Sequence, residues 1–155
     1  FMYIIAQSVP FKPNYSKISK DIDVNRKLVS DLMIYLEKAQ LINILRDNSF
    51  GISSLGKVEK IYLNNTNLSY ALVGDMTDIG NARETVFLSL LNPIYDITSS
   101  PYSDFIVDKK YTFELGGKNK KHKQIKDVKD SYLVKDDIEY GSANIVPLWA
   151  FGLLY

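Results

Sequence analysis

Residues 104–125, DFIVDKKYTFELGGKNKKHKQI, read as two short strands on either side of a charged step, then a glycine pair and a lysine-rich helix start. Short runs rich in β-branched and aromatic residues mark strands, and a short polar step between two such runs marks a hairpin. If Asp108–Lys110 is a three-residue loop, Val107 faces Tyr111, Ile106 faces Thr112 and Asp104 faces Glu114. Directly opposed side chains hold their Cβ atoms about 5 Å apart. Two carboxylates so placed repel unless a cation or donor lies between them or one is protonated. Hard oxygens converging on one face suit Mg²⁺ or Mn²⁺, which makes Asp104 and Glu114 candidate metal ligands. A two-residue loop would put the pair on opposite faces. Exposed strands carry charged pairs as well, so a solvated face is the plain alternative.

Around this hairpin the second half reads as a small mixed sheet with helices against it. NARETVFLSLL (81–91) predicts a helix with Val86, Leu88, Leu90 and Leu91 apolar and Arg83 and Glu84 in its first turn. A glutamate there is favoured by the helix dipole alone. IYDIT (94–98) and SYLVK (131–135) predict strands, and KHKQIKDVK (121–129) a helix between them. Lys118, Lys120, Lys121, Lys123, Lys126 and Lys129 form a solvated face or a phosphate patch. His122, the only histidine, is expected at the surface, Trp149 in the core, and the ten-residue end VPLWAFGLLY as a buried closing element.

Residues 14–47 have the layout of a helix-turn-helix followed by a wing. Asn14 or Ser16 can cap a short helix with Ile18 and Ile22 inward, and Asn25 can cap a second. In that second helix Leu28, Leu32, Tyr35 and Leu36 recur at three- and four-residue spacing, which predicts the buried stripe. INILR and KVEKIYLNN would be the wing strands, with Gly51 and Gly56 between them. The outward face of the second helix would offer Arg26, Lys27, Ser30 and Asp31 to a major groove, with Lys57 and Lys60 on or near the wing. Up to Val73 the chain has nine basic and six acidic side chains, a mild basic bias. Contact with DNA and use for packing or protein contact both remain open, since fold does not fix function. The asparagine- and glycine-rich run 64–81 marks a boundary, so two units are expected, 1–73 and 74–155.

With 155 residues, 46% of them hydrophobic, and a net charge of +1, the chain can build a real core, and bulk charge nominates no partner. The absence of cysteine excludes a disulfide scaffold or thiolate metal site and fits a reducing, cytoplasmic setting. No apolar run approaches the roughly 20 residues that span a bilayer, and FMYIIAQS lacks the basic front of a signal peptide. The opening on Phe1 reads as mid-helix, and the chain as a piece of a longer protein.

Five ordered segments carry a resemblance: SVPFKPNYSKISKDIDVNRKLVSDLMIYLEKAQLI, KIYLNNTNLSYAL, GNARETVFLSLL, DFIVDKKYTFELGGKNKKHKQIK and NIVPLWAFGLLY. They resemble the C-terminal half of a family of prokaryotic AAA-type P-loop ATPases, in which a winged helix and a C-terminal domain follow the ATPase module. No GxxxxGK[ST] occurs, so ATP would enter only through an ATPase module this chain does not contain. That C-terminal domain is similar to the PD-(D/E)XK nuclease core. The resemblance implies an α/β fold (α+β overall) with a helix acid at Glu84, a strand Asp at Asp104, the Glu of Glu-x-Lys at Glu114 and a helix glutamine at Gln124, around Mg²⁺ or Mn²⁺. The lysine position holds Gly116. A lysine there polarises the attacking water and stabilises the phosphorane, and glycine does neither. The implied site is therefore impaired unless Lys118 or Lys120 reaches back where Gly116-Gly117 lets the strand bend. The resemblance implies a nucleic-acid- or partner-binding module, with DNA, the ATPase module and further copies as partners. An active metal-dependent nuclease and a purely structural docking module are the alternatives.

Overall fold

The computed structural model describes residues 1–47, 58–121 and 123–154. The expected wing tip with Gly51, Gly56 and Lys57, and also His122, lie outside the described residues. The chain is mixed α/β. Helix α1 (Met2–Ser8) is followed by α2 (Tyr15–Asp21) and α3 (Arg26–Lys38). The Asn14 side chain accepts the Lys17 N–H at 3.0 Å, and that of Asn25 accepts the Leu28 N–H at 2.8 Å. Each asparagine thereby satisfies an amide the helix leaves unpaired.

The buried stripe of α3 is not the expected one. Val29 and Met33 are fully buried with Leu36 beside them, whereas Leu28 and Tyr35 face solvent, Tyr35 at 63% exposure. Both sets satisfy a 3.6-residue period and differ by about one residue of rotation, roughly 100°. Packing against α2 and the following strand selects between them. Arg26 and Lys27 are exposed as expected, while Ser30 and Asp31 are half-buried.

Strands β1 (Ile42–Arg46) and β2 (Val58–Leu63) pair antiparallel. Alternation along this hairpin serves two cores. Ile42, Ile61 and Leu63 enter a cluster with α1, α2 and α3, while Leu45 and Tyr62 enter the aromatic cluster of the second half. A further helix, α4 (Thr66–Val73), occupies the stretch expected as a linker; Asn65 caps it by accepting the Asn67 N–H, and Val73 is buried. The asparagines mark its cap, not a loop.

Helix α5 (Ile79–Leu91) starts at an Asp78 cap, earlier than predicted. Arg83 and Glu84 consequently lie in its second turn, where the dipole has largely faded. It packs on a five-stranded sheet of β3 (Ile97–Ser99), β4 (Phe105–Val107), β5 (Tyr111–Gly116), β6 (Ser131–Lys135) and β7 (Ile145–Pro147), in that spatial order. The first three strands run antiparallel, and β5–β6 and β6–β7 are parallel, a mixed sheet. Phe87 of α5 lies 5.3 Å from Phe105, 5.2 Å from Phe113 and 4.9 Å from Phe151 between ring centroids. Each such ring pair adds about 0.5–1.5 kcal/mol beyond burial, so Phe87 anchors the helix to the sheet.

Two expectations fail here. Among its described residues the crossover 117–130 has turns and bends and no helix, where a helix was predicted. It has Ile125 and Val128 as its only apolar residues, too few for a buried helical stripe. Trp149 is 57% exposed, not core, and its indole N–H donates to the Ile138 carbonyl at 3.3 Å. The closing 3₁₀ helix Leu148–Leu153 buries Leu148 and Phe151 instead. Among the described residues no helix is long and apolar enough to cross a membrane.

Candidate active site

The β4–β5 turn contains Asp108 and Lys109 at φ 50° and 57°, and pairs Val107 with Tyr111, Ile106 with Thr112 and Phe105 with Phe113. Continued one step, this register sets Asp104 opposite Glu114. The ladder stops at Phe105, and the Asp104 carboxylate takes over where the backbone ends: its Oδ2 accepts the Leu115 N–H at 2.7 Å. Glu114 is 2% exposed. Its Oε1 meets the Lys120 ammonium at 2.5 Å, and its Oε2 is buried without a hydrogen-bond partner.

Lys120, not Lys118, reaches back to the strand. The Lys120 N–H donates to the Gly117 carbonyl at 2.9 Å, closing a tight turn right after β5. The turn lays the lysine stem over Gly116, where a Cβ would stand 2.5 Å from both Cβ and Cγ of Lys120. Only a residue without a side chain leaves that space open. Lys118 is exposed, and its carbonyl accepts from Lys135 on the far side of the turn. Gln124 lies exposed on the bends of the crossover and not on a helix, so the placement implied by the resemblance fails for it.

At the other end of the site, the Tyr62 hydroxyl donates to Glu84 Oε2 at 2.6 Å. The Lys60 ammonium stands 3.4 Å from the same oxygen and 4.0 Å from Asp104 Oδ1. Lys60 therefore turns inward to carboxylates, unlike the groove-facing role expected of it. Burial pushes the Glu84 carboxyl above the usual carboxylate range, and the charge of Asp104 adds to this against the Tyr62 and Lys60 contacts. Asp104 is raised too, first by burial; the Leu115 N–H, Lys60 and Lys120 pull it back, and Glu114 pushes it further up. Burial, with the Glu84 charge behind it, carries the Tyr62 phenol far above its ordinary value, so it stays a donor.

Asp104 is the middle carboxylate, coupled to Glu84 on one side and Glu114 on the other; Lys60 reaches both Glu84 and Asp104, and Lys120 pairs with Glu114. Among the described residues no three Asp, Glu or His side chains stand together as a ready metal cage. Asp104 and Glu114 nonetheless fit a hard divalent ion in donor chemistry. They are adjacent carboxylates with one buried oxygen left unpaired, and Mg²⁺ is commonly held by one or two carboxylates plus substrate phosphate. Tyr62 escaped the sequence reading, and Lys60 was read there only as a wing residue, because their roles depend on packing across the two halves; the one signal for Tyr62 was a tyrosine inside an apolar β run. Arg83 also joins the frame: it pairs with Asp136 at 3.0 Å, and its guanidinium would lie 3.3 Å from a Cβ at Gly117.

Comparison of the chain with protein-family models, with curated proteins and with solved structures finds no match.

Proposed function

We propose that this chain is a nucleic-acid-handling module whose second half contains a nuclease-like phosphodiester site, with Lys120 in the role that Gly116 cannot fill. The reading includes a winged-helix first half and a PD-(D/E)XK-like second half acting within an AAA-type ATPase. The observation that carries it is the Lys120 stem lying in the space above Gly116 with its ammonium on Glu114. A cation so held can orient a water at Glu114 and offset charge gathering on the phosphoryl oxygens. Asp104 and Glu114 would hold Mg²⁺ or Mn²⁺, which when bound supplies Lewis acidity to the phosphoryl group. Glu84, fixed by Tyr62 and Lys60, orders the Asp104 side of the site.

Labelled single- and double-stranded oligonucleotides incubated with Mn²⁺ test this. Cleavage by the wild type is expected, with a loss of at least about a hundredfold in Lys120→Met and Asp104→Asn that remain folded. DNA binding with no cleavage under any divalent ion would replace it with a second reading, a binding module whose site is spent. That reading draws on Lys60, whose ammonium already lies between Glu84 and Asp104.

A further inference from the structure

A cleft of about 550 Å³ opens where the first half meets the sheet, and its lining includes Lys60 and Asp104, two members of the carboxylate site. The lining also includes Pro10, Phe11 and Lys12 from the first half, and Ser99, Ser100 and Pro101 from the end of β3 and the residues after it. Resting on the reading above, we propose that this cleft admits a single-stranded nucleic-acid segment, and that the site acts on single strands or flaps in preference to duplex.

Three features point there. The volume falls within the range of small-molecule pockets, roughly 300–1,000 Å³, and so suits a nucleotide or two. A duplex is a stiff rod with a persistence length of about 150 base pairs and cannot fold its backbone into such a space, whereas a single strand turns freely. The lining also has both chemistries a single strand needs. Phe11 is half-buried and offers a ring to a base, and Lys60, Ser99 and Ser100 supply a cation and hydroxyls in the same lining. Stacking on an aromatic ring accepts any base. The cleft's carboxylates do not bar a phosphate outright. Glu59 is paired with Lys12 at 2.7 Å, and Asp104 is tied to the Leu115 N–H and lies 4.0 Å from Lys60; Asp47 is the third carboxylate of the lining.

The test is binding without metal. Fluorescein-labelled dT12 and a 12-base-pair duplex are titrated with the full chain in EDTA and followed by anisotropy. The single strand is expected to bind about tenfold or more tighter. Phe11→Leu, which keeps an apolar side chain but removes the ring, and Lys12→Ser should each weaken dT12 severalfold and leave duplex binding unchanged. Should Phe11→Leu not fold, Lys12→Ser alone decides. Equal or tighter duplex binding, or indifference to both substitutions, overturns the cleft while leaving the nuclease-like reading intact. No binding of either oligonucleotide together with no cleavage under Mn²⁺ overturns both.

Discussion

Removing the two partners of the Glu114–Lys120 pair one at a time should have opposite consequences. In Lys120→Met the apolar stem over Gly116 is kept but the ammonium is lost, leaving a carboxylate that is 3% exposed without a counter-charge. Breaking a buried pair from one side costs about 3–5 kcal/mol. The Lys120 side chain is 35% exposed, so water already screens part of the pair and about 2–3 kcal/mol is the fitting figure. Glu114→Gln removes the charge and keeps an oxygen for the lysine, which can reach water; a change within about 1 kcal/mol of the wild type is expected. The double variant should match Glu114→Gln, leaving a coupling of roughly 2 kcal/mol. At about 2–4 °C per kcal/mol for a chain of this size, Lys120→Met melts some 5–10 °C lower. Urea unfolding followed by circular dichroism, in EDTA, measures all four proteins. A double variant as unstable as the sum of the singles, or a Lys120→Met loss below about 0.5 kcal/mol, would refute the pairing.

Gly116→Ala should cost about 1–2 kcal/mol and displace Lys120, because a methyl there meets the lysine stem; thermal melting reads the loss, and wild-type stability would contradict the close approach. Gly116→Lys combined with Lys120→Ala moves the ammonium back to the strand, and any Mn²⁺-dependent cleavage of labelled oligonucleotides should survive in it while Lys120→Ala alone loses it. The raised Glu84 carboxyl sets a sign. The native state keeps its proton to higher pH than the unfolded chain, so this group's contribution is present below the ordinary carboxylate range and is lost as pH rises through the folded value. Glu84→Gln should therefore gain stability relative to wild type as pH increases from about 4, measured as the difference in melting temperature between the two proteins. Reversing Arg26 and Lys27 to glutamate should weaken duplex binding and flatten the logarithmic salt slope by about 2, and an unchanged slope would remove α3 from the interface.

The hairpin at 104–115 was legible because both local signals agreed: two short runs rich in β-branched and aromatic residues, the second strictly alternating, and a polar three-residue step between them. Glu84 was legible from resemblance, yet its environment was not, since the expected helix start lay too late and made a dipole effect look sufficient. The α3 stripe was ambiguous by construction, because Leu28–Tyr35 and Val29–Met33–Leu36 fit one period equally well. Asn64 and Asn65 looked like a linker when one of them caps a helix. The return of a lysine over Gly116 was foreseeable as a possibility of the double glycine. Which lysine returns depends on the turn closed by the Lys120 N–H and Gly117 carbonyl, and sequence spacing alone does not choose between 118 and 120. Lys60 and Tyr62 belong to long-range packing, where no local rule applies.

The β1–β2 hairpin bears on how this chain can be divided and inherited. Ile61 and Leu63 belong to one core and Tyr62 between them to the other, so the seam between the halves runs through a single strand and not through a linker. A cut at residue 73 would strip the second half of Leu45 and Tyr62 against its aromatic cluster, and would deprive Glu84 of both its phenol donor and its ammonium neighbour. Exchange of the first half for another by recombination would succeed only where the donor strand brings an inward hydroxyl-bearing aromatic and a lysine two positions before it. The two halves are thus bound to diverge together, with residues 60 and 62 as the joint on which either may change.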